Sequence, residues 1–199
     1  MANRNSAGWG FRPAGTLGNV PATQGLSQYW IDAGASVNLF HGMAMKSTGG
    51  YMITGESATT VTTIGVLQGI YYNAATTLKP TWAHWYDATI TPANSEDTQA
   101  FVNDYPFQKY TVASDAQVAS TIAGAHAVFM ETFSGTQNTG GDTTTGNSTN
   151  TLDIGATNAT THTWRLLRSA EDPENNDLTA AFCTLEVVQN LSEFVGTGT

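Results

Sequence analysis

The sequence predicts a mainly β protein: a single antiparallel β-barrel or β-sandwich domain with an extended N-terminal arm and at most one or two short helices. Three observations point there. The apolar runs are brief and rich in Val, Ile, Tyr, Trp and Thr, residue types that fit a pleated, half-buried surface. Gly, Pro and Asn separate those runs at short intervals, as turns between strands require. Several runs alternate apolar with polar residues, which sets one strand face against a core and the other toward water.

From Met1 to Gln28 the chain is rich in Gly, Pro and Asn yet carries Trp9, Phe11, Leu17, Val20 and Leu26 at irregular spacing. Pro13 and Pro21 lack amide donors and hold the residues before them extended, so this stretch reads as an arm with aromatic anchors rather than a helix. Strands are then expected over Tyr29–Ile31, Val37–Lys46, Tyr51–Thr54, Val61–Tyr72, Thr81–Tyr86, Gln99–Val102 and Phe107–Val112. Further strands are expected over His126–Phe133, Leu152–Ile154, Thr161–Arg168 and Ala181–Asn190. In Thr161–Arg168 the side chains of His162, Trp164 and Leu166 share one face, and in Ala181–Asn190 Cys183, Leu185 and Val187 do the same.

One short helix is expected over 114–124, with Ser114 as its cap and Gly124 as its stop. Residues 134–151 form an eighteen-residue tract without an apolar side chain. Such a tract has nothing of its own to bury, so a solvated loop or disordered excursion is expected. The division that follows is an extended arm over 1–28, a β-rich body over 29–195 and a flexible C-terminal tail over 196–199.

The 199 residues suit one domain with an ordinary core. Only 12% of them are charged, about half of the usual ~25%. A surface so sparse in charge fits a protein covered by neighbours or displayed in a crowded array. Sixteen acidic against seven basic side chains give a net charge of −9, which repels phosphate backbones and anionic lipid. Direct nucleic-acid and membrane binding are therefore not expected. Cys183 is the one cysteine, so no intramolecular disulfide forms, and the start of the chain lacks the apolar stretch of a secretory signal.

Chemistry-bearing patterns are scarce. His41, His84, His126 and His162 stand on separate runs without metal-ligand spacing, no phosphate loop or nucleophile elbow occurs, and Cys183 falls within a strand where a buried structural thiol is the ordinary outcome. Residues 171–177 crowd four carboxylates and two amides into one loop, but their spacing does not match a calcium loop. An acidic turn pairing with Arg165, Arg168 or a neighbouring subunit accounts for them. The expectation is a non-enzyme with no cofactor and no metal. The densest aromatic patch is Trp82-Ala83-His84-Trp85-Tyr86-Asp87, where Trp82, His84 and Tyr86 would face one way on a strand and Trp85 the other. That patch would meet a partner protein, form a doubly covered strand, or stack on sugars.

Met1-Ala2-Asn3 followed by Gly10-Phe11-Arg12-Pro13-Ala14-Gly15-Thr16-Leu17-Gly18 resembles the opening of small virion proteins of tailed bacteriophages. The same group is resembled by Gly65-Val66-Leu67-Gln68-Gly69-Ile70-Tyr71-Tyr72 leading to Lys79-Pro80-Thr81-Trp82. Arg165–Arg168 leading to Asp172-Pro173-Glu174-Asn175, and Leu185–Asn190, add to the likeness. The resemblance implies an auxiliary capsid protein, a head decoration or cement subunit, often a trimer, seated on the outer lattice of major capsid protein after synthesis in the bacterial host cytoplasm. It carries no catalytic residues. The expected partner-binding residues, toward the capsid or a neighbouring copy, are Trp9, Phe11, Arg12, Leu17, Trp82, Trp85 and Tyr86, with the arm adding a strand to a neighbouring sheet edge. Two rival readings are a carbohydrate-binding or adhesin-like domain using Trp82, Trp85 and Tyr86, and another virion component at the neck or tail.

Overall fold

The computed structural model describes residues 3–18, 25–55, 62–118, 132–136, 140–157 and 162–197. Its strands in chain order are β1 (Arg12–Thr16), β2 (Ser27–Ile31), β3 (Ala44–Thr48), β4 (Tyr51–Thr54), β5 (Gly65–Asn73), β6 (Pro80–Ala83), β7 (Thr98–Asn103) and β8 (Gln108–Ala113). They continue with β9 (Thr132–Thr136), β10 (Gly141–Asp142), β11 (Asn147–Ser148), β12 (Thr151–Thr157), β13 (Trp164–Ser169), β14 (Thr184–Gln189), β15 (Leu191–Ser192) and β16 (Gly196–Thr197). Among the described residues the one helical element is a 3-10 turn, Ala93–Ser95.

The fold is mainly β, as the residue pattern predicts, and is built from two antiparallel sheets in a sandwich-like arrangement. One has the order β1-β8-β14-β13-β9-β12, the other β2-β7-β5-β3-β4. β6 joins the second sheet on the edge of β5 that β3 also uses: β3 pairs with Val66 and Gly65, β6 with Ile70–Asn73. Alternation sets the faces. Along β7, Thr98, Ala100 and Val102 are buried while Gln99 and Phe101 are half-buried on the outer side. Along β8, Gln108, Tyr110 and Val112 point inward. β14, the third strand of its sheet, is buried at all six positions, so its polar residues must be paired. Glu186 meets that requirement with hydrogen bonds from Arg168 at 2.9 and 3.1 Å and with Lys109 at 3.5 Å.

Each sheet carries its own apolar cluster. The first gathers Phe11, Tyr110, Val112, Phe133, Leu152, Trp164, Leu166, Leu185 and Val187, and the second Ile31, Leu39, Phe40, Met45, Leu67, Ile70, Tyr86 and Val102 among others. Ala44 and Val66 of the second sheet belong to the first cluster, which marks where the sheets meet. Two hydrogen bonds cross there, from the Tyr110 hydroxyl to the Asn103 carbonyl at 3.0 Å and from Gln189 Nε2 to Thr63 Oγ1 at 2.9 Å.

The leading segment departs from the expected arm. It is extended, but β1 pairs with β8 as the edge strand of this chain's own sheet, with a register shift between Pro13 and Gly15. Phe11 is fully buried, stacked on Trp164 at 4.1 Å and set edge-on to Tyr110 at 6.5 Å. The physical reason is economy of apolar surface: without Phe11 the faces of Trp164 and Tyr110 would meet water. Asn3, Arg4 and Asn5 are tied to the loop after β13, with Arg4 forming a 2.7 Å ion pair with Glu174 and the Asn5 amide donating to Asn175 Oδ1 at 2.7 Å. The acidic loop is therefore paired with Arg4, while Arg168 turns to Glu186 and Arg165 to Asn190.

Other boundaries differ for local reasons. Residues 114–118 form a bridge and a bend instead of a helix start, because Ser114 donates its amide to the Cys183 carbonyl and Val118 its amide to the Leu178 carbonyl; the rest of the expected helix, and 126–131 of an expected strand, lie outside the described residues. Gly196–Thr197 of the expected tail pair with Leu191–Ser192. The polar tract is no free loop either: β10 and β11 form a hairpin, and Ser148 and Asn150 are buried.

Removing the Phe11 ring leaves a cavity beneath Trp164. Phe11→Ala is expected to lower unfolding free energy by about 3–5 kcal/mol, read from urea denaturation of the purified protein. A loss below about 1 kcal/mol would show the segment to be dispensable to the core.

Candidate functional site

The outer face of the second sheet presents aromatic rings where a solvated sheet would carry polar groups. Trp30 pairs with Gln99, Gln99 with Tyr71 and Tyr71 with Trp82, so the four form one row across β2, β7, β5 and β6. The next row carries Gln28, Phe101 and Gly69. Gly69 has no side chain to present, and Trp82 lies over it: a Cβ there would sit 2.6 Å from Trp82 Cζ2. This lets the indole reach Phe101, with ring centroids 4.8 Å apart, while remaining 55% exposed.

The expected alternation through Trp82–Asp87 stops at Ala83, where β6 ends and the chain bends. Tyr86 is consequently buried, its backbone paired in both directions with Leu39 at 2.9 and 2.8 Å. Trp85 stacks on Phe40 at 5.0 Å and 13°. The β10–β11 hairpin closes over this pair. Its Gly146, at φ +71°, takes a conformation that favours glycine and touches the Trp85 ring, so a larger residue would be both strained and obstructed. Main-chain bonds from the His41 amide to Gly146 O and from the Ser148 amide to His41 O, each 2.9 Å, hold the hairpin in place.

Polar side chains complete this clasp. His41 Nδ1 and His84 Nε2 are 3.1 Å apart, so one ring donates and the other accepts. Asn147 Oδ1 lies 3.4 Å from His84 Nε2 and accepts from Arg12 at 3.2 Å, while the Arg12 guanidinium sits 5.4 Å over the Trp9 ring. His41 Nε2 is buried without a hydrogen-bond partner among the described residues. Burial, then the charges of His84 and Arg12, push His41 down to about 4.

Of the seven expected contact residues, Phe11 and Tyr86 are core, Trp85 is stacked beneath the hairpin, and Trp9 and Arg12 build the clasp. Each of these five has a partner within the chain; Phe11 and Tyr86 are buried, whereas Trp9, Arg12 and Trp85 are half-buried. Trp82 and half-buried Leu17 remain accessible.

A second exposed apolar group was foreseen only at Leu17. Leu17 donates its amide to the Phe107 carbonyl at 2.9 Å, and Tyr105 packs edge-on to Phe107 at 5.9 Å in the β7–β8 turn. Phe107 is 50% exposed. Asp104, beside that turn, accepts from the Tyr29 hydroxyl at 2.7 Å, and Leu26 is exposed where β2 begins opposite Val102. Burial and Asp104 push the Tyr29 hydroxyl up. The β15–β16 turn lies toward the same end, because the Glu193 amide donates to the Thr63 carbonyl at 3.0 Å, two residues before Gly65, whose backbone lies against Asn103 and Asp104. Phe194 and Val195 on that turn are 57% and 58% exposed. One end of the molecule therefore displays Leu17, Leu26, Tyr105, Phe107, Phe194 and Val195. The sequence signal was present in Tyr105-Pro106-Phe107 and Phe194-Val195, where aromatic and branched residues occupy turns.

Cys183 is buried against Ser114 Oγ at 3.2 Å, and burial pushes its thiol up, as suits a structural rather than a reactive residue. Among the described residues no group of three or more His, Cys, Asp or Glu side chains is placed to hold a metal ion. Comparison with known proteins gives no match to a family model, a curated protein or a solved structure.

The clasp predicts a pH dependence. His41 titrates lower in the folded chain than in the unfolded one, so the unfolded state binds more protons between pH about 6.5 and about 4. This contribution to stability is complete above pH 6.5 and falls away as pH drops through about 4. Thermal melts across this range should show a shallower acid-side decline for His41→Gln than for the native chain; parallel curves would contradict the assignment.

Proposed function

We propose that this protein is a structural component of a tailed-phage virion, a decoration or cement subunit that binds the outer surface of the capsid and stabilises contacts between major capsid subunits. The observation that carries the reading is the apolar end formed by Leu17, Leu26, Tyr105, Phe107, Phe194 and Val195. Such clustering on a soluble surface marks a protein-contact patch, with aromatic anchors carrying most of the affinity. The patch sits on antiparallel strands and short turns, so little ordering entropy is lost on docking. The sparse charge of the chain agrees with a surface that packs against neighbours.

The resemblance of Gly10–Gly18, Gly65–Tyr72 and Arg165–Arg168 to small virion proteins supplies the identity of the partner. It supports self-association as a trimer as well. In a shell each subunit's modest contact is repeated across the lattice, and linked copies convert weak single contacts into firm attachment.

The contact role falls to the apolar end, since Phe11 of the leading segment is occupied in the core. Phe107→Asp should fold normally and lose at least about 2 kcal/mol of attachment, roughly a thirtyfold weakening, when purified protein is sedimented with shells lacking it. Hundreds of copies per native particle would fit a decoration subunit. A few copies at one vertex would move the protein to the neck or tail, and undiminished sedimentation of the variant would remove the apolar end from the contact.

A further inference from the structure

We infer that the cleft at the Trp30 end of the aromatic row is a binding site for a neutral saccharide. The inference goes beyond capsid attachment and rests on different residues. The cleft measures about 520 Å³, and its lining includes Trp30, Tyr51, Tyr71, Asn73, Asp97 and Gln99. This is within the size range of ordinary small-molecule sites.

Its architecture is set by pairing across three strands. Trp30 and Tyr71 flank Gln99 in one row, so two aromatic side chains stand about 10 Å apart, two strand spacings, with an amide between them. Asp97 builds the wall: Oδ1 accepts the Ala33 amide at 3.0 Å and Oδ2 accepts the Tyr51 hydroxyl at 3.1 Å. The second of these bonds draws β4 back toward β7 and curls the sheet around the cleft. The walls are thus held before any ligand arrives, which lowers the cost of binding.

The lining selects the ligand class. No Lys or Arg lines the cleft, and the chain carries a net charge of −9, so phosphorylated, sulfated and carboxylated ligands find no countercharge. Planar rings offer apolar faces to the C–H side of a sugar, while the amides of Gln99 and Asn73 and the hydroxyl of Tyr71 supply donors and acceptors for its hydroxyl groups. Asp97 is occupied with Ala33 and Tyr51, and Glu96 stands exposed at the rim. A quaternary ammonium is drawn to aromatic faces alone but would leave the amides of Gln99 and Asn73 unused, so choline serves as the comparison probe.

The experiment is binding of the full-length protein to neutral gluco-, xylo- and manno-oligosaccharides, followed by tryptophan fluorescence and calorimetry, with choline and a sulfated glycan as comparison probes. Saturable binding of at least one neutral oligosaccharide is expected. Trp30→Ala, at a position 43% exposed and so tolerated by the fold, should weaken it about tenfold, the loss of one stacked ring. Gln99→Ala should weaken it too. Unaltered melting temperatures confirm that each variant is folded. Binding of choline or of the sulfated glycan alone, no binding of any neutral oligosaccharide, or native affinity in Trp30→Ala would each overturn the inference. Particle sedimentation of the same variants reads attachment separately, so failure of one proposal is distinct from failure of the other.

Discussion

The structure depends on one packing arrangement: Phe11, Trp164 and Tyr110 held together at the centre of the first sheet, with Phe11 against Trp164 at 4.1 Å and Tyr110 edge-on to Trp164 at 5.6 Å. Three large rings bury most of the apolar surface available to that cluster, and each comes from a different part of the chain. Once Phe11 is seated, Gly10 bonds to Asn150 and the Phe11 amide to Gly42, so the leading segment, the hairpin and the second sheet are fixed by one residue and its neighbour. Tyr110 carries the same constraint across to Asn103.

From that constraint follows a division of surfaces. With β1 used internally, the described part of the leading segment is held against its own sheet, and association falls to the side chains left outside. Those group into an apolar end and an aromatic sheet face. The apolar end suits a dry protein contact, whereas the face mixes rings with amides and hydroxyls around a cleft, a composition suited to a hydroxylated ligand. A virion subunit with both would hold its shell by one end and present the other surface outward.

Much of the fold was legible because strand alternation is a local property. Tyr51–Thr54 and the inward set Trp164, Leu166, Leu185 and Val187 read directly from side-chain type. The placement of Phe11 did not, since Gly, Ala and Pro around it hide any period and its partners lie about a hundred and more residues away in sequence. The polar tract misled for a similar reason: β10–β11 is held by main-chain bonds and by glycines lying on Phe40 and Trp85, contacts that need no apolar side chain. Trp82, Trp85 and Tyr86 were found as a patch, but the bend after Ala83 separates them, and a bend of that kind is set by what lies underneath. The cleft was invisible, because Trp30, Tyr51, Tyr71 and Gln99 meet only through strand order.

Amide hydrogen exchange on the isolated protein and on the particle-bound protein tests this division most directly. Residues 10–16 should already be slow in the isolated chain, as slow as β8 beside them, and attachment should add protection only at the apolar end, at 17, 26, 104–107 and 193–195. Rapid exchange at 10–16 that slows only on the particle would show the leading segment to be a free arm after all, and the account would fail.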